Sequence, residues 1–455
     1  MSTITGGRIS SNLVENFEEI YKGLTMSEAI EEANRCLYCY DAPCIKACPT
    51  SIQIPKFIKK IATGNLKGSA KTILESNPLG ASCARVCPTE ELCEGACVLN
   101  HDTKPISIGH LQRHATDWAM KQNKPLFKAG EPNGKTVAII GSGPAGLSAA
   151  RELSLLGYKV TIFEANEEAG GLNLYGIVSF RLPQEVVRWE VEQIKMLGVE
   201  IRTKTVVGLD ITAEEILNQF DRVILAIGMG KVPNLDIEGE SLKGVLDAIE
   251  VVKRTKIEAP TGELVGKKVA VIGAGNTAID AATTAVRLGA SNVQILYRRT
   301  KKEMTAYQFE YDFAKQDGVE FRWLTAPTKI LGNEQGEVVG LECVSMSLDE
   351  TDKDGRRRPV PIQNSEKILD VDAVIKAIGQ TKYTKLIEDF GLNHIKGVVD
   401  VDSETYQTSQ EKVFACGDVI FGNGQGEAMV VTAAEQGKEV AKAIHRTFML
   451  QSEIA

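Results

Sequence analysis

The spacing of apolar residues along the chain changes near Lys135. Before that point, three segments place apolar residues at helical intervals: SEAIEEANRCLYC, IPKFIKKIATGN and ISIGHLQRHATDWAMKQ. Beyond it, helical stretches alternate with short β-rich runs, namely TVAII, KVTIF, KKVAVIG and NVQILY. This alternation is typical of parallel sheets built from βαβ units. The pattern predicts a helical domain over residues 1–125, then the linker LFKAGEPNGK, and an α/β part from Lys135.

An internal repeat divides the α/β part. The unit VAIIGSGPAG at 137–146 recurs as VAVIGAGNTA at 269–278. Each unit places a glycine-rich loop between a strand and a helix, where the glycines allow a tight turn and a pyrophosphate can approach the helix N-terminus. The repeat therefore predicts two Rossmann-like nucleotide-binding domains.

Composition narrows the compartment and the partners. The chain has 455 residues, of which 43% are hydrophobic and 25% charged, and its net charge is −8. It has no apolar run as long as a membrane span, and its first residues lack the layout of a signal peptide. We therefore expect a cytoplasmic protein with reduced thiols. The absence of a long basic block argues against nucleic acid or an anionic membrane as the main partner.

Eight of the ten cysteines are clustered near the N-terminus. The first run, C-x2-C-x4-C-x3-C-P, begins at Cys36, and the second contains Cys83, Cys87, Cys93 and Cys97. Reduced thiols in this number indicate metal binding rather than disulfides. The first run is similar to the ferredoxin run C-x2-C-x2-C-x3-C-P, whereas zinc sites usually pair two C-x2-C hooks, of which one is present. The pattern favours two [4Fe–4S] clusters over zinc, and ferredoxin logic assigns Cys48 to the second run.

The two glycine loops differ in the residues that end the following strand. After the first loop, strand KVTIFE ends in Glu164, where an acid binds a ribose hydroxyl. After the second, NVQILYRR ends in Arg298 and Arg299, which suit a 2′-phosphate and favour NADP over NAD. In both cases the alternative is a solvated strand end.

The late motifs complete a recognisable pattern. Two strands end in LAIG at 225–228 and KAIG at 376–379, and ACGD ends at Asp418 before a helix. These features resemble the FAD/NAD(P) disulfide-reductase superfamily, although GGLNLYGIVSFRLP lacks the C-x4-C pair of disulfide reductases. With the clustered cysteines, they resemble a narrower family that comprises the glutamate synthase small subunit and the flavoprotein part of dihydropyrimidine dehydrogenases. RCLYCYDAPCIKACP, NPLGASCARVCPTEELCEGAC and PISIGHLQ look more like the pyrimidine branch, whereas YRRTKKEMTA and DGRRRPVPI are shared with the glutamate branch.

The resemblance implies a domain division and a set of cofactor contacts. It implies a domain with two [4Fe–4S] clusters at 1–125, an FAD-binding domain at 134–235 plus 372–455, and an NAD(P)H-binding domain at 236–371. FAD is expected to contact Gly141, Ser142, Gly143, Pro144, Ala145, Gly146, Glu164, Gly171, Leu172, Arg181, Gly417 and Asp418. NADP(H), or alternatively NAD(H), is expected to contact Gly273, Gly275, Asn276, Thr277, Arg298, Arg299, Ala377, Ile378 and Gly379. Lys353–Arg358 is interpreted as a solvated hairpin.

The resemblance also implies the cluster ligands. One cluster is expected to take Cys36, Cys39, Cys44 and Gln112, and the other Cys48, Cys87, Cys93 and Cys97. Cys83 is then a spare buried thiol. From the residues alone, Gln112 is an ordinary polar residue of a helix.

The implied function is electron input. NAD(P)H would pass a hydride to FAD, and the clusters would carry single electrons to a partner subunit with an FMN and pyrimidine site. No catalytic side chain is expected in this half-reaction, because the cofactors carry the chemistry. The chain has no room for a further (β/α)8 barrel, so the substrate site is expected on another chain of a hetero-oligomer. The alternatives are a glutamate synthase small subunit with its large subunit, a ferredoxin-linked transhydrogenase and a non-catalytic redox sensor.

Overall fold

The computed structural model describes residues 12–257, 260, 262–351, 357–422 and 428–454, and the chain divides into two compact units. The first unit comprises Met1–Ile20, Tyr175–Phe180 and Gly230–Thr381. The second unit comprises Tyr21–Leu174, Arg181–Met229 and Lys382–Ala455.

The described residues form fifteen α-helices and sixteen strands. The helices are α1 (Met26–Asn34), α2 (Pro43–Lys46), α3 (Ile54–Ala62), α4 (Leu66–Ser76), α5 (Gly80–Val86), α6 (Ile108–Gln122), α7 (Pro144–Leu155), α8 (Leu172–Tyr175), α9 (Gln184–Lys195), α10 (Ala213–Gln219), α11 (Ala248–Ile257), α12 (Asn276–Arg287), α13 (Gln308–Gln316), α14 (Thr384–Asp389) and α15 (Val430–Ile454). The strands are β1 (Thr136–Ile140), β2 (Lys159–Phe163), β3 (Glu200–Arg202), β4 (Arg222–Leu225), β5 (Val245–Asp247), β6 (Lys268–Ile272), β7 (Asn292–Leu296), β8 (Glu320–Arg322), β9 (Thr325–Gly332), β10 (Val338–Thr351), β11 (Arg357–Pro361), β12 (Lys367–Leu369), β13 (Ala373–Lys376), β14 (His394–Ile395), β15 (Val398–Val399) and β16 (Val413–Ala415).

The N-terminal part of the second unit is helical, as predicted. α1 begins with a capping box, in which the Thr25 hydroxyl oxygen accepts from the Glu28 amide and the Glu28 carboxylate accepts from the Thr25 amide. α3 buries Ile54, Phe57, Ile58 and Ile61, which share one helix face. These side chains pack with residues of α4 and α6 into one core.

The second unit also contains the first Rossmann-like sheet. Its strand order is β16-β4-β1-β2-β3, and every pairing is parallel. α7 and α15 pack against each other on this sheet through residues of a shared core. A Cβ at Gly437 would lie 2.1 Å from the backbone oxygen of Ala145, so glycine is required where the two helices meet.

The first unit contains the second parallel sheet, with strand order β5-β13-β6-β7-β8. An antiparallel sheet accompanies it, in which β10 pairs with β9, β11 and β12. The predicted boundary at 372 assigned β13 to the other domain, but β13 lies between β5 and β6 of this sheet. Its run AVIK is apolar enough to be buried there, and the boundary between units falls after Thr381 instead.

The described residues before Tyr21 also belong to the first unit, not with the helices that follow them. The Phe17 ring lies 6.2 Å from that of Phe180, and the Asn16 side chain donates to the backbone oxygen of Arg287 at 3.0 Å. Within the predicted hairpin at 353–358, residues 353–356 lie outside the described part of the chain. The flanking strands β10 and β11 pair in antiparallel fashion, with Thr351 opposite Arg357.

Among the described helices, none combines the length and the apolar character that crossing a membrane requires.

Candidate functional site

Four cysteines surround one cavity of about 380 Å³ in the second unit, part of which is open to solvent. They are Cys36, Cys39, Cys44 and Cys97. The other lining residues are apolar, among them Leu37, Ile58, Val98 and Ile108. Burial raises the pKa of the Cys36 thiol and raises that of Cys44 to about 11. We call this set the first cysteine group.

The first cysteine group fits an iron–sulfur cluster. Thiolates are the soft ligands that these clusters take, and an apolar lining controls solvent access to them. Because the raised pKa values keep the free thiols protonated, iron must displace these protons when it binds. In the described residues, no three His, Cys, Asp or Glu side chains are placed to hold a single metal ion.

A second set of cysteines lies beside the first. The thiols of Cys83 and Cys87 share a hydrogen bond, and Cys48 and Cys93 are close enough to raise the pKa of Cys87 further. Cys93 is in turn close to Cys48 and to Cys44 of the first group. We call Cys48, Cys83, Cys87 and Cys93 the second cysteine group. Two neighbouring thiol sets suit two clusters between which electrons can pass.

Cys97 and Gln112 are not placed as the expected ligand sets would require. Cys97, expected with Cys48, lines the cavity of the first cysteine group. Gln112, expected in that cavity, is not among its lining residues, and its Nε2 donates to the backbone oxygen of Gly80 at 2.7 Å. This places Gln112 beside α5, the helix that carries Cys83, because α5 and α6 pack together. Its Oε1 is the atom left to act as a ligand there.

The first glycine loop joins β1 to α7 in the second unit. Gly141 has φ +100°, and a Cβ on it would lie 2.4 Å from the backbone oxygen of Ala226, in the first AIG turn. Gly143 is the N-cap of α7, with Pro144 and Ala145 in its first turn. A Cβ on Gly143 would meet no atom within 4 Å, so the space beside the helix N-terminus is open. This opening fits a pyrophosphate.

Glu164 stands at the end of β2 beside this loop and is 4% exposed. Its carboxylate accepts from the Ser142 amide at 3.1 Å, from the Ser142 hydroxyl, and from the Asn166 amide at 2.7 Å. All of these partners donate to the Glu164 side chain, which can also accept from ribose hydroxyls.

The turn at Gly417 and Asp418, which we call the GD turn, lies against the first glycine loop. A Cβ on Gly417 would lie 3.1 Å from that of Ala145, and the Gly417 amide donates to Gln436 at 2.8 Å. Burial raises the pKa of Asp418, although the nearby Lys382 opposes this shift. Within the described ranges, no residue donates a hydrogen bond to the Asp418 carboxylate, which leaves it available to a cofactor hydroxyl.

The other residues expected around FAD are placed less uniformly. Gly171 has φ +56°, and a Cβ on it would lie 2.6 Å from the Gly143 Cα, so its segment reaches the loop. Gly146 packs on the Gly141 backbone oxygen, which a Cβ would approach to 2.1 Å. Leu172 is exposed, and Arg181 is half-buried close to Tyr21. Burial raises the pKa of Tyr21, and the charge of Arg181 opposes this shift.

The second glycine loop, in the first unit, repeats the first. Gly273 has φ +127°, and its Cβ would lie 2.2 Å from the backbone oxygen of Ala377, in the second AIG turn. Ile378 is half exposed, and a Cβ on Gly379 would meet no atom within 4 Å. Gly275 is the N-cap of α12, where Asn276 and Thr277 form the first turn.

The side chain of Asn276 supports a ligand at this loop. Its Oδ1 is buried and has no hydrogen-bond partner among the described residues. A buried acceptor of this kind is costly unless a donor reaches it, so the loop fits a nucleotide.

The two arginines at the end of β7 differ in their surroundings. Arg298 is exposed, and no ion pair or hydrogen bond of its guanidinium is found within the described chain. Arg299 is buried, and its Nε donates to the backbone oxygen of Arg357 at 2.8 Å. Arg357 is itself paired with Glu303 at 2.6 Å. Arg298 is therefore the better placed of the two to bind a phosphate. The hydrogen bond of Arg299 joins the end of β7 to β11.

One residue near the GD turn has no counterpart in the sequence interpretation. Lys382 donates from Nζ to the backbone oxygens of Asp418, at 3.3 Å, and Phe421, at 3.4 Å. Burial lowers the pKa of Lys382. Its position directly after KAIGQT was the only sequence signal.

Comparison with known families identifies both parts of the chain. Residues 13–124 match the family described as dihydropyrimidine dehydrogenase domain II, 4Fe-4S cluster, and residues 135–437 match the family described as pyridine nucleotide-disulphide oxidoreductase. The chain belongs to the pyridine nucleotide-disulphide oxidoreductase family, with a 4Fe–4S domain before the nucleotide-binding domains. It is an iron–sulfur flavoprotein oxidoreductase of the FAD and NAD(P) type, which confirms the resemblance and the cofactors inferred from its motifs.

Three curated relatives illustrate the range of this family. The beta subunit of the NADP(+)-dependent formate dehydrogenase of Moorella thermoacetica is 36% identical over 427 residues, which cover 89% of this chain but 59% of that subunit. The glutamate synthase [NADPH] small chain of Escherichia coli is 34% identical over 449 residues, 94% of this chain and 93% of that one. Subunit PreT of the NAD-dependent dihydropyrimidine dehydrogenase of Salmonella typhimurium is 35% identical over 428 residues, 94% and 96% of the two chains.

Solved structures confirm the fold. FprA of Mycobacterium tuberculosis in complex with NADPH has a TM-score of 0.58 and 18% identity, covering 71% of this chain and 86% of FprA. Thioredoxin reductase of T. acidophilum has a TM-score of 0.53 and 23% identity, covering 69% of this chain and 98% of the reductase.

Proposed function

We propose that this chain is the electron-input subunit of a hetero-oligomeric dihydropyrimidine dehydrogenase. It oxidises NAD(P)H and delivers electrons to a partner subunit that interconverts uracil or thymine and the dihydropyrimidine. The observation that carries the proposal is that two adjacent cysteine groups lie in the same unit as the first glycine loop and Glu164. A simple disulfide or flavin reductase needs no such groups.

Different residues of the chain bind FAD and the nicotinamide nucleotide. FAD, when bound, accepts a hydride from NAD(P)H and releases single electrons to iron–sulfur clusters. The N-terminus of α7 binds the pyrophosphate of FAD, and Glu164 and Asp418 accept from its hydroxyl groups. The N-terminus of α12 binds the nicotinamide nucleotide, and Arg298 contacts its 2′-phosphate. We assign no catalytic acid, base or nucleophile.

The two cysteine groups hold the clusters through which electrons leave the chain. The first group takes Cys36, Cys39, Cys44 and Cys97 as ligands, and the apolar lining of its cavity limits water access. The second group takes Cys48, Cys87 and Cys93, with Gln112 as the proposed fourth ligand and Cys83 as the alternative. Because Cys93 is near Cys44, electrons can pass from the second group to the first.

The partner subunit docks over the first group. Leu37 and Val98 line its cavity and are exposed on the surface, and Tyr40, within the same cysteine run, is fully exposed. Exposed apolar side chains next to a redox centre are typical of a protein interaction surface. The proposed occupant is a redox protein that takes electrons singly.

The N-terminal domain favours the pyrimidine reaction over the glutamate reaction, because the description of its family names dihydropyrimidine dehydrogenase. The glutamate synthase small subunit remains the second candidate, because that relative matches over almost the full length of both chains.

Co-purification and substrate-dependent oxidation of NADPH test the proposal. The chain is purified anaerobically with its partner from the source cells, and NADPH oxidation is followed with uracil and, separately, with glutamine plus 2-oxoglutarate. We expect about eight irons and one FAD per chain, an FMN-containing partner and uracil-dependent oxidation. Activity with glutamine plus 2-oxoglutarate alone would replace the proposal with the second candidate, and zinc in place of iron would refute both.

A further inference from the structure

Glu190 is a carboxylate without any solvent exposure, and it joins two parts of the second unit that lie far apart in sequence. It belongs to α9, in the α/β part, but its partners are on α5 among the N-terminal helices. Its Oε1 accepts from the amides of Ala81, at 2.8 Å, and Ser82, at 2.9 Å. Its Oε2 accepts from the Ser82 hydroxyl at 2.5 Å.

These bonds complete the N-terminus of α5. The N-cap residue Leu79 has no side chain that could accept from the first-turn amides, so Glu190 supplies the acceptor from another helix. When Glu190 is ionised, all three partners can donate to it, and a negative charge at a helix N-terminus is favourable.

Two cationic side chains donate hydrogen bonds to the C-terminal end of α4, the helix that precedes α5. Arg151, on α7, donates to the backbone oxygens of Leu74 and of Glu75, the latter at 2.8 Å, near the end of α4. Lys438, on α15, donates to the backbone oxygen of Ser76 at 3.3 Å. Cations at the C-terminus of α4 and an anion at the N-terminus of α5 suit the polarity of both helices.

The held helix leads directly to the second cysteine group. Cys83 follows Ser82 within α5, and Cys87 is its C-cap, with an amide that donates to the backbone oxygen of Cys83 at 3.0 Å. Less than two turns of helix therefore separate the Glu190 carboxylate from these thiols. A charge buried at this range acts on a redox centre through an environment of low dielectric constant.

We propose that Glu190 is a positioning residue for the second cysteine group: it fixes α5 on the FAD-binding fold, and its negative charge lowers the reduction potential of the cluster held there. The inference rests on the proposed function, because it requires a cluster at this group. Glu190 is assigned neither as a cluster ligand nor as an FAD contact, because its hydrogen bonds go to α5, through which it acts.

Charge and hydrogen bonding can be separated by substitution. In Glu190→Gln the amide oxygen can accept from both backbone amides, and the amide nitrogen can donate to the Ser82 hydroxyl, so the variant removes the charge and keeps the contacts. Glu190→Asp keeps the charge on a shorter side chain. Glu192→Gln is the matched control, since Glu192 lies on the same helix but is exposed and pairs with Lys195.

The readouts are iron and FAD content and the midpoint potentials of both clusters, measured by EPR-monitored redox titration of the anaerobic holoprotein well above neutral pH. We expect Glu190→Gln to retain iron and FAD and to raise one midpoint potential while the other is unchanged. Glu190→Asp should stay near the wild-type potential with a lower cluster occupancy, and Glu192→Gln should match the wild type throughout.

Unchanged potentials in Glu190→Gln, or an equal shift in Glu192→Gln, would overturn the inference and leave the proposed function intact. Loss of iron from Glu190→Gln with a wild-type potential in Glu190→Asp would support the positioning role. A wild-type protein without iron, or one whose flavin NADPH does not bleach, would instead refute the proposed function.

Discussion

Cys97 and Cys44 line the same apolar cavity, although they belong to different cysteine runs of the sequence. If both are ligands of one cluster, Cys97→Ser and Cys44→Ser should each abolish the same EPR signal, because a hydroxyl lacks the soft donor that iron–sulfur sites require. Cys93→Ser should abolish the other signal. Cys343→Ser is the control, since this buried thiol is in the first unit and belongs to neither cysteine group. Loss of the same signal from Cys97→Ser and Cys93→Ser would contradict the grouping.

The eighth ligand is tested by comparing Gln112→Ala with Cys83→Ser. If Oε1 of Gln112 is a ligand, its removal should alter the EPR spectrum of one reduced cluster and lower its iron content. Cys83→Ser should keep both clusters and cost about 1–3 kcal/mol of stability through a buried hydroxyl. The reverse pattern, in which Cys83→Ser loses a cluster and Gln112→Ala changes nothing, would make all eight cysteines ligands.

The fold and the cofactors were predictable because their signals are local. The loops at Gly141 and Gly273 carry a glycine wherever a Cβ would strike a backbone oxygen, and each lies between a strand and a helix. The grouping of the cysteines was not predictable from spacing. It depends on how α5 packs on α6 and on where the turn after Cys97 lies, and both are tertiary contacts.

The same limit applies to charged residues. Glu190 reads in the sequence as one of several acids in QEVVRWEVEQIK, and nothing local distinguishes it from Glu192. Its burial follows from the approach of a helix more than a hundred residues earlier in the chain. Arg298 and Arg299 are likewise equivalent in sequence, and the position of β11 separates them.

The coenzyme preference should depend mainly on Arg298. Loss of its contact with the 2′-phosphate should cost about 1.5–3 kcal/mol, so Arg298→Ala should lower kcat/KM for NADPH about 10- to 100-fold and leave NADH almost unaffected. Arg299→Ala should lower the melting temperature, because the buried Arg299 side chain donates a hydrogen bond to the backbone oxygen of Arg357. Lys315→Ala, an equal charge change at an exposed site on α13, is the control. Equal losses with NADPH and NADH in Arg298→Ala would refute the assignment.

The buried carboxyl of Glu190 should make stability depend on pH with a defined sign. Burial raises the pKa of Glu190 from 4.5 to about 7, while its hydrogen bonds to Ser82 and Ala81 and the charge of Arg85 act in the opposite direction. A carboxyl whose folded pKa lies above its unfolded pKa contributes stability that is complete below the unfolded pKa. This contribution is lost as the pH rises through the folded pKa.

Glu190→Gln carries no ionisable group at this position, so its melting temperature should rise relative to that of the wild type between about pH 5 and pH 8. The difference between the two proteins is the quantity to measure, by anaerobic thermal unfolding at several pH values, because the titrations of all other groups are common to both and largely cancel. Glu192→Gln should show a difference that hardly changes over this range, since Glu192 is exposed. A difference for Glu190→Gln that is equally flat would mean that the folded protein does not raise the pKa of Glu190. A difference that falls with pH would mean that the carboxylate is stabilised, and that hydrogen bonds from α5 outweigh the cost of burying its charge.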